Sequence, residues 1–155
     1  MSNSDVDNQD ILILKALMAN ARASLREIAG KTNMAVGTVQ NRLAKLKQKK
    51  ILLGFKPTID YSQLGFGVDT VISLNIRRDK INEIMKLLDE DPHVMSVYET
   101  TGEVDIFVRC VFKNPEELHY FLMDKLTDDL IKKSVSHIVM MNRRKDVLLD
   151  QLQVK

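Results

Sequence analysis

Between residues 36 and 49, short polar side chains and cations share one stretch in a pattern suited to one kind of chemistry. Val36, Gly37, Thr38, Gln40 and Asn41 come first, and Arg42, Lys45 and Lys49 follow within the next two helical turns. The amides of Gln40 and Asn41 can each bond an adenine edge twice, and a glycine at 37 permits close approach. The cations, with Arg22 and Lys31 from flanking segments, can neutralise phosphates. The competing interpretation is a solvated cationic helix face on which Gly37 merely lowers helix stability.

Other chemistry finds less support. Glu99, Glu103 and Asp105 flank a turn at Gly102 and could form an acid–base pair or hold a divalent cation, but solvated turn carboxylates are the preferred reading. His93, His119 and His137 fall on a loop, a helix and a strand, without ligand spacing to Cys110, so no metal centre is expected. Gly65, Gly67 and Gly102 lack the companions that phosphate-cradling loops require. Cys110, the single cysteine, lies between Val108 and Phe112 and reads as a small buried hydrophobe. Neither catalytic residues nor a cofactor are expected.

Three helices should position the first cluster. Ile11, Leu14, Leu17 and Met18 recur at helical spacing behind Asp7 and Asp10, acids suited to a helix N-terminus. Ser24 and Glu27 form a capping box that opens a helix over residues 25–31. Val39, Leu43 and Leu46, at i, i+4 and i+7, bury one face of a third helix and leave the polar residues outside. Two helices joined by a tight turn near residues 32–34, the second basic, make a helix-turn-helix. The turn residue Asn33 could cap the third helix in place of Ala35, which has no capping oxygen.

Beyond Lys50 the pattern changes. Residues 51–59 read as a short extended run broken by Gly54 and Pro57, and a glycine-bearing hinge follows. Strict alternation over 68–76 gives a strand, and Ile81, Ile84, Met85 and Leu88 give a helix that Asp91-Pro92 stops. Strands follow at 94–100 and 105–112, then a helix from Asn114-Pro115 carrying Leu118, Leu122 and Leu126, then a strand over 135–141. The order is βαββαβ, the ferredoxin-like split arrangement. Residues 142–155 fit a short helix on Leu148, Leu149 and Leu152 better than an edge strand.

The charge follows the same division. Residues 1–60 carry ten Lys/Arg against five Asp/Glu, and residues 61–155 carry thirteen against sixteen. A basic part joined to a mildly acidic one is the footprint of a nucleic-acid domain attached to something else. No stretch approaches the roughly 20 apolar residues of a membrane helix. The polar, acidic residues 1–10 lack the order of a secretory signal, so a cytoplasmic location is expected.

Over nearly its whole length the sequence resembles the Lrp/AsnC, or feast/famine, family of transcriptional regulators. The resemblance rests on Val6-Asp7-Asn8-Gln9-Asp10 before Ile13-Leu14, on Asn20-Ala21-Arg22, Ser24 to Ala29, Thr38-Val39 to Arg42, Leu46 and Ile51 to Phe55. It continues in the turn from Tyr98 through Thr101-Gly102-Glu103-Val104-Asp105. It implies an α+β fold with a winged-helix-like helix-turn-helix over residues 1–54, a linker strand and hinge over 55–67, and a ferredoxin-like βαββαβ (RAM) domain over 68–155. It further implies homodimers, often assembled into tetramers or octamers, whose paired helices read double-stranded DNA about one turn apart.

An amino-acid effector between dimers is also implied, held by Tyr98, Thr100, Thr101, Gly102, Glu103 and Asp105, with Ser134, Ser136 and His137 on the far side. Turn N–H groups suit an α-carboxylate and the acids an α-ammonium. Alternatively Gly102 serves only the turn geometry, and Asp105 only fixes it. Ala35 stands where the family places a serine, Lys50 where it has a glycine, and residues 128–133 replace a short proline-glycine turn. Two other readings stay open: a nucleoid-organising protein without effector, and a non-catalytic regulatory subunit of an enzyme.

Overall fold

The computed structural model describes residues 6–127 and 129–141. These form two compact units that divide between Thr58 and Ile59. The expected tail helix lies outside the described residues.

The first unit holds three helices, α1 (Asn8–Ala19), α2 (Leu25–Thr32) and α3 (Val36–Gln48). Reciprocal capping boxes open the first two. Asp7 Oδ1 accepts from the Asp10 N–H at 2.9 Å, and Ser24 Oγ accepts from the Glu27 N–H at 3.2 Å. Each satisfies amide donors that the first turn leaves without carbonyl partners. Ile13, Ala16, Leu17, Ile28, Ala29, Val39 and Leu46 form the core, and Leu43, Ile51 and Leu52 pack against it.

The turn before α3 departs from expectation. Asn33 does not cap α3; it closes α2 in a left-handed conformation, φ 55°, and leaves Ala35 as an N-cap without a side-chain bond. Asn tolerates that backbone region better than most residues, so one residue makes the tight turn. At the end of α3 the Ile51 N–H bonds the Leu46 carbonyl at 2.9 Å and the Lys50 N–H bonds that of Lys47 at 3.0 Å, a Schellman closure. Lys50 takes its left-handed position, φ 55°, where the lack of a glycine costs about 1 kcal/mol.

Residues 51–60 contain no ladder strand, and the linker strand expected within 55–67 does not form. A strand needs a neighbouring strand to bond its N–H and C=O groups, and this segment pairs with none among the described residues. A 3₁₀ turn, Tyr61–Leu64, opens the second unit.

That unit is a four-stranded antiparallel sheet of β1 (Val68–Ile76), β2 (Val94–Glu99), β3 (Ile106–Phe112) and β4 (Ile131–Ile138), in the order β2-β3-β1-β4. Helices α4 (Ile81–Glu90) and α5 (Pro115–Tyr120) complete the βαββαβ order. Ile72, Leu74, Ile76, Ile106, Val108, Cys110 and Phe112 alternate onto one sheet face and meet Ile84, Leu88, Leu118 and Phe121 of the helices and the turn that follows. The expected helix from Asn114 to Leu126 stays α-helical only to Tyr120. Phe121–Lys125 is a π-helical turn. Its wider i→i+5 winding turns both Phe121 and Leu126 inward, each about 4% exposed.

The fourth strand begins four residues earlier than the expected 135–141. Buried Leu130 and Ile131 anchor its start, and the ladder closes where the Val139 N–H bonds the Asp69 carbonyl at 2.8 Å. Met140 and Met141 are exposed. Their hydrophobicity suggested a strand that tertiary packing does not use.

Cys110 is fully buried, and burial pushes its thiol up to about 12. The neutral thiol is the poor nucleophile of the pair, so native protein at pH 8 should resist alkylation by iodoacetamide until denaturant is added. Rapid labelling of the folded protein, read by mass spectrometry, would place Cys110 at an accessible surface instead.

Candidate nucleic-acid interface

Val39 and Leu46 fix the orientation of α3, since both are under 3% exposed and spaced at i, i+7. Gly37, Asn41, Ala44 and Gln48, at i, i+4, i+7 and i+11, therefore run along the opposite, exposed side. Gln40 flanks this strip on one side with Lys47, and Thr38, Lys45 and Lys49 flank it on the other. Val36 is exposed at the helix start, and Arg22 and Lys31 are exposed on the preceding segments. This gives a small, polar strip with cations along its borders, a shape that can enter a DNA groove and meet phosphates on either side.

Thr38, Asn41, Arg42, Lys45, Leu46 and Lys49 line one wall of a shallow cavity of about 390 Å³. Asp7 and Asp10 line the other. Arg42 Nη1 donates to Asp7 Oδ2 at 2.7 Å and to Asp10 Oδ1 at 2.9 Å. Its side chain is only 25% exposed. The guanidinium expected to meet phosphate is thus engaged by two carboxylates. Hydrogen bonds to Asp10 and Asp7 raise its already high pKa, and the Asp10 N–H and Arg42 hold the Asp7 carboxyl below its usual range.

Sequence reading missed four residues here. Ala44 and Gln48 extend the outward strip, and helical spacing from Gly37 could have found them. Lys47 lies 5.7 Å from the Phe55 ring centroid, and the partnership of Asp10 with Arg42, 32 positions apart, left no local signal.

The Gly102 turn joins β2 to β3. Gly102 has φ 120°, and nothing lies within 4 Å of where its Cβ would be, so backbone conformation rather than space requires glycine. The Thr100 N–H bonds the Asp105 carbonyl at 2.9 Å, and Thr100 Oγ donates to the Val104 carbonyl at 2.5 Å. Asp105 is tied to β1: its N–H bonds the Leu74 carbonyl at 3.1 Å, and its Oδ2 accepts from the Ile76 N–H at 2.9 Å. The Asn75 side-chain amide donates to the Glu103 carbonyl. Tyr98, Thr100, Thr101, Gly102 and Glu103 are exposed around this hydrogen-bonded turn.

Ser134 pairs with Leu74, near the turn, whereas Ser136 and His137 pair with Ile72 and Val71 farther along β1. Side chains alternate along a strand, so Ser134 and Ser136 share one face and His137 takes the other. One chain does not assemble all the expected effector residues. The face bearing His137 also carries Val71, Phe107, Tyr98 and Val135, with Arg109 bonded to Asp69 through Nε at 2.9 Å and Nη2 at 2.6 Å.

Residues 6–47 match the model of the AsnC-type helix-turn-helix domain, and residues 70–148 that of the Lrp/AsnC ligand binding domain. An uncharacterized HTH-type transcriptional regulator of Pyrococcus furiosus is 35% identical over 94% of this chain and 99% of its own. The structure of Escherichia coli AsnC is 30% identical, with a TM-score of 0.80 over 90% of this chain and 95% of its own. A transcriptional regulator of Neisseria meningitidis, solved as an L-Met complex, shares the fold at 22% identity and a TM-score of 0.85, over 90% of this chain and 93% of its own. With both halves matched, and the outward strip of α3 where a reading helix needs it, the chain belongs to the Lrp/AsnC family of helix-turn-helix transcriptional regulators.

Proposed function

We propose that the protein controls transcription as a homodimer, assembling further into tetramers or octamers, that places two α3 helices in successive major grooves of a roughly palindromic site. The observation that carries this is the strip Gly37-Asn41-Ala44-Gln48 opposite a fully buried Val39. Gln40 and Asn41 read base edges, Val36 and Thr38 lie beside them, and Arg22, Lys31, Lys45 and Lys49 neutralise phosphates. Residues 1–54 serve as the DNA-binding domain, 55–67 as the hinge and 68–155 as the assembly and sensing domain. The helix-free sheet face, with Val71, Phe107 and Val135, suits a second copy. A sequence-indifferent architectural role or an enzyme-subunit role gains nothing from the polar reading strip or from the ligand-binding-domain match.

The effector is an amino acid at the Gly102 turn. Its α-carboxylate meets turn N–H groups, its ammonium meets the Glu103 carboxylate, and Tyr98, Thr100 and Thr101 form a wall. The L-Met complex of the Neisseria protein supports this ligand class. Ser134, Ser136 and His137 would come from a neighbouring dimer. A tenfold preference for one assembly supplies about 1.4 kcal/mol per site, so several sites must act together.

The experiment is a thermal shift with each of the twenty amino acids, followed by binding to a duplex that the protein selects from a random library. One amino acid should raise the melting temperature and change the affinity for the selected duplex, and Glu103→Gln should remove both responses. Asp105→Ala is the poorer variant, because it also strips a bond from β1. Silence with all twenty would end the sensing proposal and leave the DNA reading to the selection result.

A further inference from the structure

The acids beside the recognition helix are out of place for a surface that meets phosphate. Asp7 and Asp10 line the same cavity as Lys45 and Lys49, and together they outnumber the one guanidinium that they hold. A carboxylate near a duplex backbone repels it, so a second role must offset that repulsion.

The bonding pattern defines the role. Asp7 places Oδ1 on the Asp10 N–H at 2.9 Å and Oδ2 on Arg42 Nη1 at 2.7 Å. Asp10 places Oδ2 on the Asp7 N–H at 3.3 Å and Oδ1 on the same Nη1 at 2.9 Å. Every carboxylate oxygen of the pair is used, two on the first turn of α1 and two on α3. The capping box and the ion pair are one network, and the network ties the start of α1 to the middle of the reading helix. Asp10 is 9% exposed and the Arg42 side chain 25%, so water competes weakly for the Arg42–Asp10 bond, whereas the Asp7 side chain is 55% exposed and its bond is the weaker arm of the clasp.

From this geometry we infer that Asp7, Asp10 and Arg42 are positioning residues for DNA recognition, which set the angle of α3 and keep Arg42 on the carboxylates when the duplex is bound. Arg42 lies one turn from Thr38 and Lys45 and one residue from Asn41. A loosened clasp lets α3 turn about the contacts of Val39 and Leu46, and the outward strip then misses its base edges. Affinity for any duplex survives, because the phosphate cations are elsewhere, while discrimination falls. The inference rests on the DNA-reading role of α3 and is independent of the effector.

The test compares the full chain with Arg42→Ala, Arg42→Lys, Asp10→Asn and Lys45→Ala. The two probes are a duplex selected by the unaltered protein and a scrambled duplex of the same length, each titrated at several salt concentrations. Arg42→Ala should weaken the selected complex about tenfold, the weight of one good base contact, and leave the slope of log K against log salt unchanged. Lys45→Ala should make that slope shallower by about one per protomer on both duplexes. Arg42→Lys, which keeps a cation within reach of the acids, should recover part of the loss. Asp10→Asn has the diagnostic sign, since removal of a negative charge alone would tighten both complexes, whereas positioning requires the ratio of selected to scrambled affinity to fall. Melting curves of the same samples check folding, and the milder Asp10→Asn and Arg42→Lys keep the comparison if Arg42→Ala unfolds. A shallower salt slope in Arg42→Ala, or equal tightening on both duplexes by Asp10→Asn, overturns the inference. Failure to select any sequence overturns the reading role of α3 instead, and the salt slopes on the scrambled duplex still report whether Arg42 contacts phosphate.

Discussion

Between roughly 50 and 200 mM salt, the affinity of the protein for its selected operator is expected to fall by about four orders of magnitude. Each chain presents Arg22, Lys31, Lys45 and Lys49 on exposed positions around the proposed reading strip, so the proposed dimer would displace counterions at about eight phosphates. Each phosphate contributes about 0.9 to the slope of log K against log salt, giving a value near −7. Arg42 is absent from that count because two carboxylates hold it. Fluorescence anisotropy over a salt series measures the slope directly. A value shallower than about −3 would mean that fewer than half of these cations meet the backbone, and the face of α3 assigned to DNA would have to be redrawn.

The second large effect belongs to the sheet unit. Phe112→Ala should destabilise it by about 3–5 kcal/mol, the range for deleting a buried aromatic side chain. Phe112 is fully buried at the end of β3, where its ring stacks on His93 at 4.9 Å and tilts against Phe121 at 5.4 Å. It joins the end of β3, the entry to β2 and the π-helical turn, and none of these can close over the space without moving the others. Calorimetry should show a large drop in the melting temperature of this unit, and Phe112→Leu, which retains more bulk, should lose less. A Phe112→Ala protein that melts within about 2 °C of the original would show that the core relaxes around the cavity, contrary to the usual behaviour of close-packed interiors.

The Ser24–Glu27 capping box, the helix-turn-helix and the βαββαβ order were legible because each is a short-range pattern. Ser24 and Glu27 sit three apart and bond each other's backbone; Val39 and Leu46 mark one helical face; residues 68–76 alternate with the pleat. The turn at Gly102 was legible as a turn, since Gly102 is where a left-handed backbone is needed. Its chemistry was not, because Asp105 is spent on the Ile76 amide, and that partner lies 29 positions away in sequence.

Sequence by itself determined the elements, their order and the family, since local bonding and the burial period of each segment depend on neighbours within a few residues. Tertiary structure decided what the polar side chains with distant partners do. Asn33 closed α2 and did not cap α3, β4 started at the buried Ile131 and not at Val135, and Arg42 went to Asp7 and Asp10. The physical reason is the same in each case: a polar or apolar group goes to the partner that the fold brings within bonding distance, and that partner has no fixed separation along the chain.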